Sequence, residues 1–137
     1  MSAGSVAPEG IQSEPASALA IADAVRRGAA RPSDVVAGAL ERIAARDPDL
    51  NAVVTTDPAD SLRQAAAVER RLADGERPPL AGVPVVVKDA IWVAGWRVTQ
   101  GSRLFADFRA PEDDVAVARL RAAGAVVVGM ANMSEFG

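Results

Sequence analysis

The sequence has no cysteine and no histidine. Without cysteine there are no disulfides and no thiolate nucleophile; without histidine no Ser-His-Asp triad forms within the chain, and without either most zinc sites are excluded. Aromatic residues make up only 4% of the chain, which argues against a large aromatic pocket. No apolar run approaches the ~20 residues that a helix needs to cross a bilayer, so no membrane partner is expected. Residues 1–12 lack a basic start and an apolar centre and do not read as a secretory signal; a cytoplasmic setting is expected. The net charge is -3, with Lys and Arg dispersed among Asp and Glu. No basic patch stands out, so no direct nucleic-acid partner is expected.

What is present is small and apolar. Hydrophobic residues are 50% of the chain, mostly Ala and Val, which suits helices packed closely around a buried sheet. Met1–Gln12 is small and polar and reads as a flexible tail, and residues 13–137 suit one domain or part of a larger one. A first helix is predicted over Ala16–Arg27, with Leu19, Ala20, Ile21, Ala24 and Val25 on its apolar face and Gly28 as its stop. A second enters at Pro32-Ser33-Asp34 with Ser33 as N-cap, continues through Val36, Ala39, Leu40 and Ile43, and ends at Pro48. Asn51–Thr56 is rich in β-branched residues and reads as a strand. Asp57 caps and Pro58 opens a third helix, with Leu62, Ala65, Ala66 and Leu72 inward and Gly75 at its close. Val83–Val87 and Ala125–Val128 are wholly apolar, as strands buried on both faces are. A helix over Asp113–Ala123, followed by Gly124, lies between them. Strand, helix and strand in that order imply a parallel crossover and an α/β class.

The first of these apolar strands stops abruptly at Lys88-Asp89. In parallel α/β sheets, sites gather at the carboxyl ends of strands. Two readings of Lys88 are open: the first solvated residue beyond a buried strand, or a partly desolvated amine that serves as a base. Asp89 is adjacent, but neighbours on a strand point to opposite faces, so a Lys88–Asp89 ion pair is not expected. Trp92 and Trp96 either pack against the core or line an acyl pocket, and packing is the commoner role.

The blocks Gly82-Val83-Pro84-Val85-Val86-Val87-Lys88-Asp89, Val93-Ala94-Gly95 and Thr99-Gln100-Gly101-Ser102 together resemble the opening of the amidase-signature family. The resemblance continues through Asp114, Leu120-Arg121-Ala122-Ala123-Gly124-Ala125 and Val126-Val127-Val128-Gly129 to Asn132-Met133-Ser134-Glu135-Phe136. With Asp47-Pro48-Asp49-Leu50-Asn51-Ala52 it covers about residues 17–137. It implies that this chain holds the N-terminal helices and part of the mixed central sheet of that fold, which is incomplete here. It further implies hydrolysis of the C–N bond of a carboxylic amide through a Ser–cis-Ser–Lys triad, with Lys88 as the general base. In that chemistry the lysine draws a proton from a bridging serine, which activates the nucleophilic serine; a tetrahedral intermediate and then an acyl-enzyme follow. Neither metal nor cofactor is needed.

The family's two serines lie in a segment of the Gly-Gly-Ser-Ser-Gly-Gly type, which these 137 residues do not contain. Lys88 would stand here without them, and no activity is expected of this chain by itself. Thr99 and Ser102, beside the lysine block, are possible site support, although turn chemistry is the ordinary role of such a serine. Ser134 looks like a helix cap. Met130-Ala131 departs from the family's usual Lys-Thr, and Trp92 and Trp96 occupy a loop that is often more polar. The expected partner is a small-molecule amide, with self-association or a homo-oligomer following from apolar strands and free edges. One alternative is the A subunit of a transfer-RNA-dependent amidotransferase, although Lys88 to Gly95 looks closer to stand-alone amidases. A second is a non-catalytic remnant or interaction module that binds a partner through its sheet edge.

Overall fold

The computed structural model describes residues 16–137; the tail expected over residues 1–12 lies outside them. Helix α1 (Ala18–Arg26) begins where Ser17 Oγ accepts from the Ala20 N–H at 3.2 Å, and it ends before Gly28, whose φ of 73° suits a residue without a Cβ. Its inward face is Ala22 and Val25, while Leu19 is exposed. Helix α2 (Pro32–Leu50) has Arg31 at its N-cap position with no side-chain cap. Ser33, the predicted cap, lies inside the first turn. Both its N–H and its hydroxyl donate to the Glu69 carboxylate, so a neighbouring helix satisfies the orphan donor that a local cap would otherwise take. The Glu69 pKa is lowered, chiefly by the Ser33 hydroxyl against the opposing effect of burial, with help from the Ser33 N–H and Arg31.

Pro48 does not end α2. It sits in the last turn, where the missing N–H forfeits only one helical bond, and Asn51 stops the helix in the left-handed region at φ 49°. The Asp47 carboxylate ties off the exit by accepting from the N–H groups of Ala52 and Val53 at 2.7 and 2.9 Å. Strand β1 (Val53–Thr55) follows. Helix α3 (Pro58–Ala73) starts as its sequence predicts: Asp57 accepts from the Asp60 N–H at 2.9 Å, and Pro58 occupies the first turn. Its buried stripe is Ser61, Ala65 and Val68, so Leu62, expected inside, points outward.

Strands β2 (Pro84–Lys88) and β3 (Val126–Ala131) run parallel, with Val85 opposite Val127 and Lys88 opposite Ala131. Helix α4 (Val115–Ala122), capped by Asp114, supplies the crossover. β1 lies antiparallel on the other side of β3, which gives the order β1-β3-β2. β3 is therefore central; Val126 to Val128 are buried, as expected, and the buried strand runs on through Gly129 and Met130. β2 is an edge strand whose Val86 is 45% exposed, so the expectation of burial on both faces holds for β3 and fails for β2 among the described residues.

Alternation along β3, reset by a bulge between Val127 and Gly129, feeds two cores. Val126 and Val128 meet Val25, Val36, Ala65 and Val68 from the first three helices; Val127 and Met130 meet Val93, Trp96, Val98 and Val117. β1 pairs only as far as Met130 and Ala131. Beyond it, α3 side chains take the place of a strand: Gln64 Oε1 accepts from the Val127 N–H at 3.1 Å, and Ser61 Oγ donates to the Val127 carbonyl at 2.8 Å.

Candidate active site

The parallel pairing of β2 and β3 brings their carboxyl ends to one edge of the sheet. Lys88, the last residue of β2, thereby meets Asn132, 44 positions away in sequence: Lys88 Nζ donates to the Asn132 carbonyl at 2.7 Å. An ammonium has three donors, so this bond leaves two for other groups. The side chain is exposed, and the desolvation considered from the strand pattern is not supplied by the described residues.

Asp89 turns the opposite way, as strand alternation requires, and makes no ion pair with Lys88. It is 1% exposed. Its N–H donates to the Ala131 carbonyl at 3.0 Å, and its own carbonyl accepts from the Gln100 N–H at 2.8 Å. Its carboxylate accepts from the Thr99 N–H at 2.9 Å and from the Thr99 hydroxyl. The Thr99 hydroxyl also accepts from the Gly101 N–H at 3.2 Å.

Ser102 is buried and caps a short 3-10 turn (Arg103–Phe105) by accepting from the Leu104 N–H. That is the turn role anticipated for it. In addition Ser102 Oγ donates to Glu135 Oε1 at 2.7 Å, a contact that sequence reasoning missed. Asp89, Thr99, Ser102, Arg97 and Asn132 border a shallow open depression of about 260 Å³. Lys88, Thr99 and Ser102 thus gather at one end of the sheet, but Lys88 touches neither of the other two; the link runs through residues 132–136.

The tryptophans pack. Trp96 is 3% exposed, and its Nε1 donates to Asp60 Oδ2 at 2.8 Å. Burial pushes the Asp60 pKa up, but hydrogen bonds from Trp96, Gln64 and Arg63 outweigh it and the net shift is downward. Half-buried Trp92 lies against Phe108, ring centroids 5.6 Å apart. Among the described residues there is no group of three His, Cys, Asp or Glu side chains able to hold a metal ion, and no helix is long and apolar enough to cross a membrane. One sequence signal went unused: Lys88 is the only lysine among the 15 Lys and Arg residues.

The family model described as Amidase matches residues 34–137. The A subunit of glutamyl-tRNA(Gln) amidotransferase from Deinococcus radiodurans is 47% identical over 119 residues, which is 87% of this chain and 24% of that protein. The same subunit from Methylobacillus flagellatus is 46% identical over 97 residues, 71% of this chain and 20% of that one. Among solved structures, the peptide amidase of Stenotrophomonas maltophilia superposes with a TM-score of 0.83 at 37% identity, over 90% of this chain and 26% of that chain. A bacterial aryl acylamidase of the amidase-signature family gives 0.83 at 32% identity, over 89% and 26%. The chain spans about a quarter of the length of the relatives it matches.

Proposed function

The chain belongs to the amidase-signature family, and from that premise we propose that Lys88 is the general base of a serine amidase that breaks the C–N bond of a carboxylic amide. The observation that carries the reading is the delivery of the sole lysine to the carboxyl end of a parallel strand, with its Nζ held at 2.7 Å by the Asn132 carbonyl. In this reading the neutral amine accepts a proton from a bridging serine, which takes one from the nucleophilic serine. The nucleophile's oxygen adds to the amide carbonyl, the C–N bond breaks as the leaving nitrogen gains a proton, and water resolves the acyl-enzyme. Both serines belong to a segment that these residues do not include, so the 137 residues alone are expected to turn over no amide. Thr99 and Ser102 support the site by shaping the loop beside it.

The test is Lys88→Arg beside Lys88→Ala, in the protein with its serine segment and with folding verified. A guanidinium stays protonated at working pH and cannot act as a base. Acyl-enzyme formation should fall about 10²–10⁴-fold in both variants, or further if the triad acts as a unit. Retention of most of the rate in Lys88→Arg would make Lys88 an electrostatic or structural residue and end this reading.

A second reading is supported by the amidotransferase A subunits, which are 46 and 47% identical to this chain. There the acyl chemistry at Lys88 would be the same, and the nitrogen released as ammonia would pass to an acylated transfer RNA with the help of a partner subunit. Amide turnover by the unpartnered protein favours the amidase; turnover that requires a second subunit and charged transfer RNA favours the amidotransferase.

A further inference from the structure

Lys88 is exposed, yet its amine has a defined partner, and that partner is a main-chain carbonyl in an irregular segment. A carbonyl orients an amine only as well as its own segment is held. Residues 132–136 are held at both ends. On one side the Asn132 N–H donates to the Ala52 carbonyl at 2.8 Å, and Asn132 Nδ2 donates to the Asn51 carbonyl at 2.9 Å. On the other side the segment lies against residues 99–102. The Phe136 N–H donates to the Gln100 carbonyl at 2.9 Å, and Ser102 donates to Glu135. Gly101, at φ 66°, permits this approach: a Cβ there would lie 2.8 Å from the Met133 carbonyl oxygen.

The 99–102 loop is anchored in turn by Asp89. Three of its acceptor atoms are used on two consecutive loop residues: two carboxylate oxygens on Thr99 and the main-chain carbonyl on Gln100. A buried carboxylate is costly unless hydrogen-bonded, and here its donors all come from this loop. The residue next to Lys88 in sequence therefore reaches it again through space, by way of the loop and the 132–136 segment. We propose that Asp89 is a positioning residue for Lys88: with Thr99 it sets the 99–102 loop, which holds residues 135 and 136 and so, together with the Asn51 and Ala52 contacts, fixes the Asn132 carbonyl that orients the amine. The inference rests on the reading of Lys88 as the base for its catalytic consequence.

Because the chain has one lysine, protein grown with lysine labelled with carbon-13 at Cε reports on Lys88 alone. Thr99→Val removes the hydroxyl at nearly constant volume, and Thr99→Ser keeps it. In folded Thr99→Val, the lysine Cε and Hε shifts should move at least halfway to their unfolded-chain positions. The nuclear Overhauser contact from Lys88 Hε to residues 132–133 should weaken more than twofold, and Thr99→Ser should restore both. Unchanged shifts and contact in a folded Thr99→Val protein would overturn the proposal. If that variant does not fold, Ser102→Ala tests a later link by cutting the bond to Glu135; an unmoved lysine signal there would overturn the proposed route. In the whole enzyme, misplacement of a reacting group by about 1 Å costs up to ~10²-fold. Thr99→Val should accordingly lower kcat ~10-fold or more with KM changed less than twofold, and Thr99→Ser should recover it. Were Lys88 not the base, the resonance would still respond while acyl-enzyme formation in Lys88→Arg survived, so the two failures are distinguishable.

Discussion

Ser61→Ala puts a measurable load on the junction of α3 and β3. Ser61 is fully buried, and its single hydroxyl proton is shared between the Val127 carbonyl at 2.8 Å and the Asp57 carbonyl at 2.9 Å. The Asp57 contact closes a helical turn whose main-chain bond, from the Ser61 N–H to the Asp57 carbonyl at 2.9 Å, remains in the variant. The Val127 contact is different: that carbonyl lies beyond the reach of β1, in a part of the sheet from which water is excluded. Leaving a buried acceptor without its partner costs ~1–3 kcal/mol, while the volume lost is a single oxygen atom and adds little. For a domain of this size the corresponding fall in Tm is roughly 3–15 °C. Urea unfolding supplies the free energy, and the m-value checks that the unfolded state has not changed. Gln64→Ala removes the matching acceptor from the Val127 N–H. Since both side chains serve one residue, the double variant should depart from additivity by ~0.5 kcal/mol or more. A cost below ~0.5 kcal/mol for Ser61→Ala, with m unchanged, would refute the view that α3 completes the sheet.

Acid should destabilise the fold. The folded pKa values of Glu69 and Asp60 are lowered, so their contributions are fully present above the unfolded values of about 4.3 and 3.9 and are lost as pH falls through the folded ones. Tm should hold on the neutral side and drop below about pH 4.5, with Glu69→Gln flattening the upper part of that drop; a Tm in wild type that stays level down to pH 3 would contradict this. The isolated 137-residue chain should self-associate through the β2 edge, where Val86 is exposed, and through exposed Leu104 and Phe136. Sedimentation velocity would settle this prediction, and a monomer at every concentration would mean that these surfaces need no cover.

Much of this architecture is legible because local signals agree with the tertiary outcome. Asp57-Pro58 and the glycines at 28, 75 and 124 mark helix ends by their own backbone chemistry, while the helix expected from Asp113 begins at Val115, after the Asp114 cap. The apolar runs give β2 and β3 within a few residues, and their parallel pairing follows from the helix between them. The errors share a cause. Ser33 is read locally as a cap, but Glu69 comes from another helix; Leu62 is apolar, but the rotation of α3 is decided by the fit of Ser61 and Gln64 to Val127. At the site, Lys88 and its strand are visible in sequence, and so is the opposite orientation of Asp89. The Asn132 carbonyl and the Ser102–Glu135 bond are not, because neither a main-chain acceptor in a loop nor a pairing 33 positions apart leaves a pattern in residue types.

The sheet order also fixes a sequence of events in time. β3 is the middle strand, yet it is the last of the three to be synthesised. Before it emerges, β1 and β2 have no neighbour to pair with, and the valines of β2 must wait beside three helices already made. The contacts that close this sheet span long separations, 81 positions in the case of Asn132 and Asn51, and such closures are slow. A nascent chain released before residue 126 would carry helices and a lysine but no sheet to aim it. Between the making of β2 and the arrival of β3, the β2 valines lack their sheet partner, and exposed apolar strands of this kind are open to aggregation.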